Sequence, residues 1–274
     1  MKIQVLGPLN AEINDVSIVP TARKPRQILA LLALYPGRVV PVTTLMEEIW
    51  GTQPPHSALT TLQSYILQVR RRLNTAIGPH NPHLAKEILA TRHGGYLLQF
   101  PTESIDVHTY EQLARQGHQA FEEGDDEKAA TLLQQALALW QGPALVDVHV
   151  GPILEIETMR LEESRLVTTE RRIDADLRLG RHTEILAELT QLTARHPQHE
   201  GLHAQAMLAL YRSGRRATAL TLYHHLRTHL ITELGVEPSP QIQRLHQAIL
   251  TVNPTLNTLT TTHPTSTYDL FTAH

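Results

Sequence analysis

Thr60, Thr61, Ser64, Gln68 and Arg71 have the side chains and the spacing to read base pairs. Hydroxyls, a carboxamide and a guanidinium are the groups that hydrogen-bond to base edges in the major groove. All five lie in PPHSALTTLQSYILQVRRRL, residues 54–73, where Leu59, Leu62, Ile66, Val69 and Leu73 form an apolar stripe at helical spacing. At 3.6 residues per turn the five polar residues fall opposite that stripe, with Tyr65 and Arg72 at its shoulder. Pro54 and Pro55 suit a first helical turn, where a missing N–H costs nothing. Residues 54–73 contain no carboxylate, whereas an ordinary surface helix interleaves both signs of charge. A face that donates hydrogen bonds and attracts phosphate fits a DNA groove. The plainer alternative is a solvated face that happens to be basic.

Such a helix needs elements to hold it. Residues 2–6 and 11–19 alternate in polarity around turns at Gly7-Pro8 and Asn14-Asp15, which predicts a small antiparallel sheet. TARKPRQILALLALYPG then packs Arg23, Lys24 and Arg26 into the entry of a core helix running through Ile28, Leu29, Leu31, Leu32 and Leu34 to Pro36-Gly37. Cations there oppose the helix macrodipole. A nearby phosphate backbone would explain them, and a tolerated surface cluster is the alternative. In VVPVTTLMEEIWG, Val39-Val40 reads as a short strand and Thr43 or Thr44 as the cap of a second helix, with Glu47 at capping-box spacing from Thr44. Leu45, Ile49 and Trp50 are expected to face inward, and Gly51 ends the helix. Two short helices and a longer one joined by tight turns make a helix-turn-helix. Phosphates are assigned to Arg23, Lys24, Arg26, Tyr65 and Arg72, and to the helix start at Thr43 and Thr44.

After Gly78-Pro79 a polar loop is expected, then two β-prone runs, residues 88–91 and 96–100, around Arg92-His93-Gly94-Gly95. This is a hairpin with a cation at its tip. Following a recognition helix it has the place of a wing, with Arg92, and His93 beside it, directed to a minor groove. A solvated turn residue is the alternative for Arg92.

Composition supports this division. The chain has 274 residues, 41% hydrophobic but only 4% aromatic, which leans towards helix, and no cysteine, which excludes disulfides and thiolate chemistry. No run of 18 apolar residues occurs, so neither a membrane span nor a signal peptide is expected, and the location expected is the cytoplasm, at the nucleoid. The net charge of −3 is uneven: residues 1–100 carry ten Lys and Arg against five Asp and Glu, the rest fourteen against twenty-two. A basic first third on an acidic remainder is expected if only the N-terminal part meets a polyanion.

From Ile105 the pattern is helix after helix. FEEGDDEKAATLLQQAL, LRLGRHTEILAELTQL and LYRSGRRATALTLYHHL share a glycine at one position, and Gly180 and Gly214 are 34 residues apart, the tetratricopeptide period. Gly124 precedes Gly180 by 56, so WQGPALVDVHVGPI reads as an insertion. Each glycine falls where a helix must end and reverse. The fold expected is mainly α. A winged helix-turn-helix with a small β-sheet and wing hairpin (residues 1–100) precedes an all-α tetratricopeptide-like helical repeat (101–252) and a Thr- and Pro-containing tail read as disordered (253–274). Residues 1–100 are expected to fold and bind DNA alone.

With RKPRQILALLAL, VTTLMEEIWG, SALTTLQSYI, VRRRL and GGYLL in place, residues 3–100 resemble the OmpR-type winged helix-turn-helix of the Streptomyces antibiotic regulatory protein family. LWQGPALVDV, LEESRL, HPQHEGLHAQAMLALYRSGRRATAL and ELGVEPSPQIQRLHQAIL resemble the bacterial transcriptional activator domain that follows it there, so the resemblance covers residues 3–250. Leu67 and Gln68 stand where members commonly carry Ser-Arg. The resemblance implies a transcriptional activator that binds double-stranded DNA as side-by-side dimers on direct repeats near the −35 region. It also implies recruitment of RNA polymerase holoenzyme and control of genes for a secondary metabolite such as an antibiotic. Dimers answer a physical need, since one helix reads too few base pairs to find a promoter among genomic competitors. The loop at residues 51–55 and exposed parts of the helical repeat are the expected polymerase contacts.

Other chemistries find little support. Some relatives carry an ATPase module, but no G-x-x-x-x-G-K-[ST] occurs and the chain ends too early for one. Among 17 histidines, the pairing of His225 with His229 and the run His196, His199, His203 lack an H-E-x-x-H core, so neither a metal nor another cofactor is expected. The acidic run 122–127 lacks calcium-loop spacing, and no nucleophile elbow appears, so no enzyme is expected. Two rivals remain: a ligand-gated regulator whose helical repeat senses a small molecule or peptide, and a repeat scaffold whose winged helix meets protein instead of DNA.

Overall fold

The computed structural model describes residues 2–78, 83–101 and 104–257. It is mainly helical, and its contacts divide into two compact units, Met1–Leu113 with Ala136–Arg165, and Ala114–Gln135 with Leu166–His274.

The first unit opens with β1 (Lys2–Gln4), β2 (Asn10–Ile13) and β3 (Val16–Ser17), an antiparallel sheet in that order. Asn14 and Asp15, both at positive φ, make the β2–β3 turn, as residues with short polar side chains can. Helix α1 (Arg23–Leu34) buries Ile28, Leu29, Leu31 and Leu32 completely. Strand β4 (Val39–Pro41) leads directly into α2 (Val42–Trp50). Neither Thr43 nor Thr44 caps α2, contrary to the sequence reading: the cap residue is Pro41, with no side-chain cap bond. The Val42 N–H is instead taken by the Gly94 carbonyl at 2.9 Å, so a contact distant in sequence does the work of a local cap. Ile49 and Trp50, expected inward, are half-buried, and Glu48 is buried instead.

Helix α3 (Ala58–Ile77) is followed by a short helix, α4 (Leu84–Ile88), where a polar loop reaching to Ile88 was expected. One turn anchored by the buried Ala85 is too short to show a period, and residues 79–82 of that loop lie outside the described residues. Strands β5 (Leu89–Arg92) and β6 (Gly95–Leu98) form the hairpin and join β4 in the order β4-β6-β5, Val40 opposite Tyr96 and Arg92 opposite Gly95. A Cβ at Gly95 would collide with the Val40 carbonyl oxygen, so the close approach of β4 and β6 requires glycine.

Later segments complete this unit. Asp106, first residue of α5 (Asp106–Glu122), accepts from the Val5 N–H at 2.9 Å and the Leu6 N–H at 3.1 Å. Between α6 (Asp126–Leu137) and α7 (Pro152–Arg178), the Gln141 and Leu145 N–H groups donate to the carbonyls of Leu6 and Val5. Asp147 accepts from the Leu9 N–H at 2.7 Å. The buried Glu48 carboxylate accepts from Gln27 Nε2 and from the N–H groups of Gly151, Ile153 and Leu154, all within 2.9 Å. An anion at the start of α7 satisfies amides that have no partner within the helix.

In the second unit α8 (Leu186–Arg195), α9 (Glu200–Arg212), α10 (Arg216–Leu234) and α11 (Pro240–Leu250) bury Ile185, Leu189, Leu202, Met207, Leu208, Leu226 and Ile242 in one core. Gly124, Gly180 and Gly214 take left-handed φ of 80°, 77° and 74°. In each case the next N–H bonds back five residues, Asp125 to Ala120, Arg181 to Asp176 and Arg215 to Leu210, the helix-ending bond the repeat predicts. The start of the tail differs from the expected disorder. Pro254–Asn257 forms a 3₁₀ turn, Leu256 is buried in that core and its carbonyl accepts from Arg212 Nε at 2.8 Å. Residues 258–274 lie outside the described residues.

Candidate nucleic-acid interface

Helix α3 starts at Ala58, and Pro54 and Pro55 precede it, with the Ala58 N–H donating to the Pro55 carbonyl. The buried side is Ala58, Leu62, Ile66, Val69, Leu73 and Ala76. Leu59, assigned to that stripe from sequence, is 51% exposed, and the small Ala58 takes its place.

The opposite side is the predicted one. Thr60, Ser64, Gln68, Arg71 and Arg72 are exposed, and Thr61 and Tyr65 are half-buried. Ser64 Oγ donates to the Thr60 carbonyl at 3.0 Å, so its proton is engaged by the helix and its oxygen is offered outward as an acceptor. Gln68, Arg71, Arg72 and Thr75 line a cleft with Pro20, Thr21 and Ala22, which precede α1. Arg71 and Arg72 have no ion-pair partner among the described residues.

Aromatic contacts link the three helices. Lys24 Nζ sits 5.0 Å from the centroid of the Trp50 ring, and Trp50 stacks on Tyr65 with centroids 6.3 Å apart. Trp50, read from sequence as core, is thus a platform that places the Lys24 ammonium beside α3. Arg23 is exposed at the start of α1. Arg26 is different. Its Nη1 meets Asp147 Oδ2 at 3.0 Å and its Nε donates to the Pro20 carbonyl, so its charge already has a partly exposed carboxylate partner. Thr43 is exposed and Thr44 half-buried in the first turn of α2, where backbone N–H groups lack intrahelical acceptors.

The wing is braced from both sides. Its turn carbonyl at Gly94 holds the start of α2, and the Arg70 guanidinium donates to the Leu89 carbonyl at 2.7 Å and to Thr91 Oγ1 at 2.8 Å. Burial draws Arg70 below the ordinary arginine pKa, as suits an internal brace. Arg92 and His93 are exposed at the tip, which turns through Gly94 at φ 77°. The sequence reading missed the roles of Arg70 and Trp50, and the exposure of Leu67 on this face. A cation at the shoulder of the stripe was the signal for Arg70, whereas Trp50 needed the tertiary fold.

The histidines set aside as metal ligands shape the helical repeat. His199 Nδ1 accepts from the Leu202 N–H and caps α9, and His203 Nδ1 donates to the His199 carbonyl at 3.0 Å. Among the described residues no helix is long and apolar enough to cross a membrane.

Known proteins share this architecture. Residues 17–98 match the family described as "Transcriptional regulatory protein, C terminal", and residues 105–250 match the "Bacterial transcriptional activator domain". The regulatory protein DnrI of Streptomyces peucetius is 54% identical over 254 residues, 93% of either chain. The regulatory protein AfsR of Streptomyces coelicolor is 37% identical over 93% of this chain, which spans only 25% of AfsR. The solved structure of Mycobacterium tuberculosis EmbR, in complex with a low affinity phosphopeptide, superposes with a TM-score of 0.83 at 30% identity over 93% of this chain and 68% of that one. With both domains matched in this order and a relative this similar over nearly its whole length, the chain belongs to the Streptomyces antibiotic regulatory protein family of transcriptional activators, with an OmpR-type winged helix and a bacterial transcriptional activator domain.

Proposed function

We propose that this protein is a sequence-specific DNA-binding activator, pathway-specific for a secondary-metabolite cluster, that acts in the cytoplasm at the nucleoid. The observation that carries the reading is the outer side of α3: exposed Thr60, Ser64, Gln68, Arg71 and Arg72, with no carboxylate on the helix. In the reading Thr60, Thr61, Ser64, Gln68 and Arg71 approach base edges. Arg23, Lys24, Tyr65, Arg72 and the α2 start at Thr43 and Thr44 hold phosphates, and Arg92 and His93 enter the minor groove. Two copies side by side on direct repeats near the −35 region supply the missing specificity, and the bound dimer recruits RNA polymerase holoenzyme through residues 51–55 and the helical repeat. Under this proposal residues 1–100 read DNA and 101–252 carry the activating surfaces, with no catalytic step. The test is protection mapping on the promoters beside its own gene, with binding titrated over a range of salt. A protected direct repeat and a steep loss of affinity with salt are expected, whereas equal binding to all sequences would overturn the reading.

One observation favours a second reading, in which the helical repeat senses a small molecule or peptide. A cavity of about 280 Å³ is lined by Glu170, Asp174, His199, Gly201 and Gln205. Gln205 is 4% exposed; its Nε2 donates to the Glu170 carbonyl and to Asp174, and among the described residues its Oε1 has no donor. A thermal shift with a pathway product separates a gated regulator from a constitutive one.

A further inference from the structure

Leu67 is a large apolar side chain, 48% exposed, on the side of α3 that faces away from the core. Four residues before Arg71, it projects about 40° from that arginine's direction at 100° per residue. Gln68 lies about 60° away on the other flank, and Thr61 further still. Leu67 is therefore nearer in direction to Arg71 than two of the residues assigned to base reading, Gln68 and Thr61. Leu59, also exposed, is about 120° from Arg71 and off this face. A leucine amid Ser64, Gln68 and Arg71 finds nothing apolar to cover within its own helix.

We infer that Leu67 is a specificity-determining residue that packs against the 5-methyl group of a thymine in the operator. The inference rests on the DNA-binding reading above. The major groove offers one apolar feature at base edges, the thymine methyl, and leucine is complementary to it where hydroxyls, amides and guanidiniums are not. Gln68, the next residue, has the bidentate amide that suits the adenine of an A·T pair. Adjacent residues with these two chemistries commit the site to A·T content at the centre of each half-site. A second copy of this chain or a protein partner seated on Leu67 is the competing occupant, and neither would respond to a methyl group on DNA.

The experiment takes the full chain and the duplex it selects best from a random library, then replaces each thymine in turn by deoxyuridine, which removes only the methyl. Covering one methyl group corresponds to about a three- to fivefold change in Kd. That loss is expected at one position of each half-site. Leu67→Ala should bind the unmodified duplex less tightly by a similar factor and be indifferent to deoxyuridine there. Leu59→Ala, off the face, should keep the full methyl dependence. Because Leu67 is exposed, circular dichroism of Leu67→Ala should match the parent. A wild-type protein indifferent to every methyl, or a Leu67→Ala variant as methyl-sensitive as the parent, overturns the inference while leaving DNA binding intact. Failure to select any duplex over random DNA overturns the DNA-binding reading itself.

Discussion

Arg71 and Arg26 show how far charge alone misleads. Both are guanidiniums in the basic third of the chain, but Arg71 is exposed on α3 whereas Arg26 is paired with Asp147 at 3.0 Å. Arg71→Ala should weaken binding to the selected duplex by about 1–3 kcal/mol and random DNA by less. A gel-shift titration showing equal losses on both would make Arg71 a phosphate contact. Lys24→Ala should reduce the slope of log K against log salt by about one unit. Arg26→Ala should leave that slope unchanged, and its half-exposed ion pair should contribute no more than about 1 kcal/mol to stability.

At the scale of elements, what was legible follows from period and punctuation. The α3 stripe, the hairpin and the glycine-terminated repeats rest on local rules, and each has its predicted kind of structure. The Thr44–Glu47 capping box was misread because a carbonyl fifty residues away fills the role, and α4 because one turn has no period. Glu48 was invisible for a similar reason: a carboxylate in a helix reads as surface until the Gly151, Ile153 and Leu154 amides arrive. Glu48→Ala leaves buried donors without an acceptor and should cost at least about 2 kcal/mol in a urea titration. Gly95→Ala drives a methyl into the Val40 carbonyl and should cost about 1–3 kcal/mol, lowering DNA affinity through the displaced wing. At the site, the exposed polar side of α3 follows from spacing, whereas the Lys24–Trp50–Tyr65 contact and the Arg70 brace join residues that only folding brings together.

For the whole molecule, pH acts through histidines that are buried or half-buried. Burial is the first cause drawing His118, His203 and His246 below the ordinary histidine value; Arg171 adds to it at His118 and His224 at His246, while the His199 carbonyl opposes it at His203. A base held neutral in the fold binds fewer protons than in the unfolded chain. Stability is then full above about pH 6.5 and lost as the pH falls below it. Calorimetry should show Tm dropping between pH 7.5 and 5.5, and His203→Gln should narrow the drop. An unchanged Tm over that interval would falsify the linkage.

Besides the Gln27 amide, Glu48 finds its partners at residues 151–154, and the N–H groups of Val5, Leu6 and Leu9 find theirs at Asp106 and Asp147. A nascent chain that has delivered 100 residues from the ribosome already holds all of α3 and the wing, but not those partners. At about 5–20 residues per second the interval lasts on the order of several seconds. During translation the first unit therefore waits for its own downstream sequence, and a message truncated between the two points yields a polypeptide with all of α3 and the wing but without these later hydrogen-bond partners.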